Sequence, residues 1–282
     1  MAQATNGSVQ IEYESFGDDQ PQTVLLVNGL GSQMTRWPIP FCELLVARGY
    51  RALRYDNRDV GLSSWLDGQA YTVSDMARDG IAVLDAAGVS KAHVAGVSMG
   101  GMIVQKLAIE HPDRVLSMTS IMSATGAPGS LDSTPEAAAV LNVAPPDPRD
   151  DFEAFVAHGI RNARTIGSPG YPWSEDALRE RTIAEYARAF NPAGVARQRA
   201  ALMADGDRTA ELAKLTIPVV VLHGAQDPLI KPKGGEMTAA AIPGAELRMI
   251  EGMGHDLPPA LYAVFIDAIV AAAERAKARA DG

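Results

Sequence analysis

Short apolar runs rich in Val, Ile and Leu alternate along this chain with longer segments of helical period. Few folds suit that alternation, because strands separated by crossover helices assemble into a parallel sheet with helices on its faces. Residues 23–27 form an unbroken apolar run, as a central strand buried on both faces requires. Residues 50–55, 92–97, 115–122, 218–222 and 245–250 supply five more strand-like runs. Residues 11–16 alternate and then meet Gly17-Asp18-Asp19, which predicts an edge hairpin at the start of the sheet. Helices are expected at 41–48, ended by Gly49, and after Thr72, an N-cap followed by Met76, Ile81, Val83 and Leu84 as far as Gly88. Three more are expected at 99–110, 232–241 and 258–278, the last with an alanine-rich face.

Between Gly126 and about Leu212 the alternation stops. Pro128, Pro135, Pro145, Pro146 and Pro148 predict a loop-like first part, and three helices are expected after it. Phe152, Phe155, Val156 and Ile160 share a face in the first; Ile183, Tyr186, Ala187 and Phe190 share one in the second. Asn191-Pro192 reads as the N-cap and first residue of the third. The expected organisation is an α/β core of residues 1–125 and 213–282, with a helical cap at residues 126–212 inserted over the active site.

Composition excludes several classes. At 282 residues and 47% hydrophobic, the chain can bury one large core. A net charge of −9 speaks against nucleic acid and against anionic lipid, both of which need clustered Lys and Arg. No apolar stretch has the length of a membrane span. The polar start, Met1 to Gly7, carries neither a basic nor an apolar leader region, so a cytoplasmic location is expected. The one cysteine, Cys42, forms no internal disulfide and reads as a buried small hydrophobe. The five histidines lack ligand spacing, so no catalytic metal is expected. No cofactor is expected either.

The chemistry centres on Gly96-Val97-Ser98-Met99-Gly100, a G-x-S-x-G sequence set between an expected strand and an expected helix. There the chain must turn sharply, which strains the serine backbone and leaves room only for glycine two residues to either side. Such a turn aims Ser98 Oγ outward and offers the Met99 N–H, at a helix start, to an oxyanion. A serine hydroxyl needs a base to take its proton. His255 follows the last strand, in the loop Gly252-Met253-Gly254-His255, and Asp227 follows the strand before it. The order Ser98, Asp227, His255 is the one found with strand–turn–helix serine elbows. A second oxyanion donor is expected from Asn28-Gly29-Leu30-Gly31, as the Leu30 N–H. Asp132 is the alternative acid, placed after the earlier strand.

With these stretches in view, the chain resembles the α/β-hydrolase superfamily along essentially its whole length. Within it, the chain is similar to the aclacinomycin methylesterase-like and carboxylesterase branch. The stretches that carry this are Arg54-Tyr55-Asp56-Asn57-Arg58-Asp59-Val60-Gly61, the elbow with Gly101 after it, and Gly252-Met253-Gly254-His255 followed by Leu257-Pro258. One departure is Asn28-Gly29, where the superfamily often has His-Gly. The resemblance implies ester hydrolysis through an acyl-enzyme, methyl esters included, and the apolar cap residues Phe152, Phe155, Tyr186 and Phe190 point to a small or medium apolar ester. Pocket candidates are Trp37, Met122, Phe155, Trp173, Phe190 and Met253. Asp56, Arg58 and Asp59 read as a structural ion-paired turn, and His223 as a structural hydrogen-bonder. A cofactor-free perhydrolase or carbon–carbon hydrolase could use the same residues. A slow-turnover ligand receptor is the competing class, and an intact triad argues against it.

Overall fold

The structure is a computed structural model that describes residues 2–280. Its eight strands are β1 (Ala2–Asn6), β2 (Val9–Phe16), β3 (Gln22–Val27), β4 (Tyr50–Tyr55), β5 (Ala92–Val97), β6 (Val115–Ile121), β7 (Val219–Gly224) and β8 (Glu246–Ile250). They form one sheet in the order β1-β2-β4-β3-β5-β6-β7-β8. β1 pairs β2 and β2 pairs β4 antiparallel; from β4 to β8 every pairing is parallel. Among the described residues ten α-helices run in chain order: α1 (Ile39–Ala47), α2 (Val73–Ala86), α3 (Met99–Glu110), α4 (Pro135–Asn142), α5 (Phe152–Ile166), α6 (Glu175–Arg188), α7 (Pro192–Asp205), α8 (Thr209–Leu212), α9 (Pro232–Ala241) and α10 (Tyr262–Ala280). The chain belongs to the mostly parallel α/β class.

The unbroken apolar strands follow from burial on both faces. Leu25, Val27, Leu53, Tyr55 and Val94 pack beneath α2 and α3. Their neighbours Val24, Leu26, Ala52, Ala95 and Val97 face the opposite layer, against Phe41 of α1 and Phe265, Ile269 and Ala272 of α10. Each such aliphatic side chain contributes roughly 1.5–3 kcal/mol relative to an exposed one. Thr72 caps α2 in a reciprocal box: its hydroxyl accepts from the Asp75 N–H, and Asp75 answers on the Thr72 N–H. Asn191 caps α7 with Pro192 in its first turn.

The structure departs from the sequence expectation at several points. The edge hairpin is β1–β2, since the chain beyond Gly17 leads to β3, which pairs β4 and β5 and not β2. β1 was not expected: of its five residues only Ala4 is buried, so the strand shows no apolar alternation. The Pro-rich stretch holds α4, because Pro135 sits in its first turn, where a missing N–H costs nothing, and Thr134 caps it. The last helix begins at Tyr262, after a 3-10 turn at Pro259–Leu261. α6 stops at Arg188, so Phe190 lies beyond it. Helices α4 to α8 all fall between β6 and β7. Among the described residues, no helix is long and apolar enough to cross a membrane.

Candidate active site

Ser98 sits at the C-terminal end of the central strand β5, with φ 55° and ψ −122°. For a residue with a side chain that conformation costs about 1–3 kcal/mol, and the surroundings impose it. Its N–H donates to the Ile121 carbonyl at 2.9 Å, and its carbonyl accepts from Ser123 Oγ at 2.8 Å. The flanking glycines are required by contact: a Cβ on Gly96 would lie 2.1 Å from the Gly100 carbonyl oxygen, and one on Gly100 2.3 Å from that of Val27.

His255 Nε2 lies 2.9 Å from Ser98 Oγ, and its Nδ1 lies 2.7 Å from Asp227 Oδ2. Asp227 is buried, yet its carboxylate is satisfied. Oδ1 accepts the N–H groups of Leu229 (2.9 Å) and Ile230 (3.0 Å) from its own turn. With the acid holding Nδ1–H, the tautomer leaves Nε2 free to accept the Ser98 proton. His223 stands 3.5 Å from the same Oδ2 and bonds the Ile230 carbonyl at 2.7 Å, so it does serve as a structural hydrogen-bonder. Burial pushes its pKa down, which keeps the ring neutral and Nε2–H a donor. Asp132 is exposed, and the site's acid position is filled by Asp227. Asp256, next to His255 in sequence, turns the other way: its carboxylate accepts from Ser168 Oγ and from Trp173 Nε1 (3.0 Å). Burial raises its pKa despite those donors.

The loop after β3 passes directly over Ser98. A Cβ on Gly29 would be 3.2 Å from Ser98 Cβ and 3.8 Å from its Oγ. Among the described residues, neither the Leu30 N–H nor the Met99 N–H is spent on another protein acceptor. Asn28 is fully buried, and its carbonyl accepts from Asn57 Nδ2 at 3.0 Å.

The pocket candidates divide into two sets. Trp37, Met122 and Met253 are at most 2% exposed and belong to the core layer beneath the site, which leaves them no surface for a ligand. Trp37 packs on Phe41, with ring centroids 4.9 Å apart. Phe155, Trp173 and Phe190 are half-buried in the insertion. Phe155 and Phe190 meet at 5.4 Å, with Phe152 and Tyr186 completing an aromatic group. The inserted helices are tied to the core by buried ion pairs. Asp56 pairs with Arg188 at 2.7 Å, and Asp59 binds Arg197 through two bonds of 2.7 and 2.8 Å. Burial pushes the Asp59 carboxyl up, but Arg197 and the Leu66 N–H outweigh it and hold it below the usual carboxylate range. No group of three or more His, Cys, Asp or Glu gathers at metal-binding spacing among the described residues.

A family model described as the alpha/beta hydrolase fold matches residues 22–258. The chain belongs to that family. It is 32% identical over 290 aligned positions to rhodomycin D methylesterase of Streptomyces peucetius, covering 95% of this chain and 96% of the relative. A solved hydrolase from Pseudomonas aeruginosa is 27% identical at a TM-score of 0.71, covering 95% and 96% of the two chains. A meta-cleavage product hydrolase from Pseudomonas fluorescens matches at a TM-score of 0.78 over 98% of both chains. At 18% identity, that is a likeness of fold.

Proposed function

We propose that this ester-acting hydrolase cleaves a small or medium apolar carboxylic ester, methyl esters included, through a serine acyl-enzyme. The observation that carries the reading is the unbroken chain from Ser98 Oγ to His255 Nε2 (2.9 Å) and from His255 Nδ1 to Asp227 Oδ2 (2.7 Å). In this mechanism Ser98 Oγ attacks the ester carbonyl carbon while His255 takes its proton, and Asp227 stabilises the imidazolium that forms. The carbonyl oxygen gathers negative charge and is met by the N–H groups of Leu30 and Met99, the second at the positive end of α3. Collapse expels the alcohol, protonated by His255. Water then repeats the sequence on the acyl-enzyme, and the acid leaves.

Two features support the substrate class. The curated relative is named a methylesterase. The insertion gathers Phe152, Phe155, Tyr186 and Phe190 into an aromatic group, which suits an apolar acyl or alcohol part better than a charged or polymeric one. In this reading the insertion is a cap that roofs the site and excludes bulk water.

The test is Ser98→Ala with a series of p-nitrophenyl and methyl esters of graded chain length. Turnover should fall by about 10⁶ in kcat with the melting curve unchanged. An organophosphonate should label Ser98, and activity should be greatest on short-to-medium esters and slight on long triglycerides. Labelling at any other residue would sink the mechanism. Equal rates on acetate, octanoate and long-chain triglyceride would sink the substrate class.

A further inference from the structure

The loop that carries Leu30 is held from outside the core. Gln198, on α7 of the insertion, is fully buried, and its side-chain amide is spent on two backbone groups of the core. Its Oε1 accepts the Gly31 N–H at 2.8 Å, and its Nε2 donates to the Arg58 carbonyl at 2.8 Å. Gly31 is the residue after Leu30, inside a turn closed by the Ser32 N–H on the Gly29 carbonyl (3.2 Å). Val195, three residues earlier on α7, stands against the same glycine: a Cβ there would meet its methyl at 3.0 Å. The helix is anchored on the neighbouring turn as well, by Arg197 on the Asp59 carboxylate and by Asn191 Nδ2 on the Asp59 carbonyl at 3.1 Å.

We propose that Gln198 is a positioning residue for the oxyanion site: by fixing the Leu30–Gly31 peptide it restrains the adjoining Gly29–Leu30 peptide, and with it the direction of the Leu30 N–H. The inference rests on Leu30 as an oxyanion donor in the reaction above. Gln198 does not touch the reacting atoms, since it has no exposed surface and both its polar atoms are engaged. Its leverage is geometric. An oxyanion donor works within a few tenths of an ångström, and a misplacement of about 1 Å can cost about 10²-fold in rate. Removing the amide also leaves a buried N–H and a buried carbonyl without partners, so the loop must shift to satisfy them. It follows that α7 must be docked for the oxyanion site to be complete. A cap movement that admits substrate would loosen Leu30, and closure would restore it.

The experiment compares Gln198→Met, which removes both bonds at similar length, with Gln198→Glu, which keeps an acceptor for the Gly31 N–H. Both are made in the full chain. The readouts are kcat and KM on p-nitrophenyl acetate, inhibition by phenylboronic acid, which becomes tetrahedral on the serine, and thermal melting. Gln198→Met should lower kcat by about 10- to 100-fold, leave KM within about twofold and weaken boronate binding in proportion to kcat. Gln198→Glu should restore kcat to within about fivefold of the parent. A folded Gln198→Met with unchanged kcat and boronate affinity overturns the proposal, as does a rise in KM alone, which marks ordinary cap packing. If Gln198→Met does not fold, Gln198→Glu decides: retention within that range supports the role, and a larger loss with the acceptor still in place overturns it. Failure of the underlying reaction shows separately, as turnover that survives Ser98→Ala, and the inference then falls with it.

Discussion

The two halves of the site are built differently. The side chains of Ser98 and Asp227 are set by the core: the elbow by glycine contacts and the Ile121 carbonyl, the acid by two N–H groups of its own turn. The insertion bonds that turn through backbone, where the Thr134 N–H donates to the Pro228 carbonyl (2.8 Å) and the Lys231 N–H to the Asp132 carbonyl (2.9 Å). The loops bearing His255 and Leu30 are held by the insertion. The His255 N–H donates to the Ile166 carbonyl (2.6 Å), and the Gly254 N–H to Ser168 Oγ (2.9 Å). The Gly170 N–H donates to the Gly252 carbonyl (2.9 Å), and Gln198 holds the Leu30 loop. The difference teaches that the inserted helices do more than select substrate. They also set the loops that bear His255 and Leu30, through which proton transfer and charge stabilisation would pass in the proposed reaction, while the sheet holds Ser98 and Asp227.

The largest expected effect is on the core side. Asp227→Asn should keep the turn's geometry, since Asn can still accept from Leu229 and Ile230, but it no longer fixes the His255 tautomer. A loss of about 10⁴ in kcat is expected, equivalent to about 5.5 kcal/mol, with little change in melting temperature. Steady-state kinetics beside Asp132→Asn checks it. If Asp132→Asn were the damaging variant, the core-held acid would be misassigned and the comparison would break.

A smaller effect is expected where the insertion meets the core. Arg197→Ala leaves the Asp59 carboxylate buried without its bidentate partner, and a broken buried pair costs about 3–5 kcal/mol. Because Arg197 keeps some exposure and water can reach the vacated place, about 3 kcal/mol is the expected loss in a urea melt. Arg197→Lys should recover only part of it, since an ammonium cannot bridge both carboxylate oxygens. Unchanged stability in Arg197→Ala would mean that α7 is not anchored by this pair.

The same division separates what was legible in the sequence from what was not. The elbow is a local object: strand, serine, helix and two glycines lie within one short stretch, and each residue states its own constraint. The chain order of Ser98, Asp227 and His255 was legible because each follows a strand of recognisable apolar period. Gln198 and Ser168 were illegible because their partners, Gly31 and Gly254, are 167 and 86 positions away, and no local pattern marks a glutamine or serine for such a bond. Asp56 and Asp59 were read as a paired turn, yet their partners Arg188 and Arg197 lie on the insertion, which only the fold brings near. β1 was missed for the opposite reason: an edge strand with one buried residue has no apolar signal to read.

The smallest expected effect concerns a structural histidine on β5, the strand that leads into Ser98. His93 lies on β5, at the end remote from Ser98, and is 2% exposed. Its Nδ1 lies 2.8 Å from Ser117 Oγ and its Nε2 3.1 Å from Gln22 Oε1. A neutral ring satisfies both, with Nε2–H donating to Gln22 and the Ser117 hydroxyl donating to Nδ1. Burial pushes its pKa from the ordinary 6.5 down to about 4, with the charge of Glu274 opposing it. Below 6.5 the unfolded chain therefore takes up a proton that folded His93 refuses. The stability it confers is complete above that value and is lost as pH falls from 6.5 towards about 4, at no more than about 1.4 kcal/mol per unit. At about pH 5 the cost should be about 2 kcal/mol. His93→Gln keeps a donor and an acceptor but cannot titrate, so it should flatten melting temperature against pH while leaving the pH–rate profile in place. A parent protein whose melting temperature stays level from about pH 6.5 to about pH 5 would remove His93 as the source of acid sensitivity.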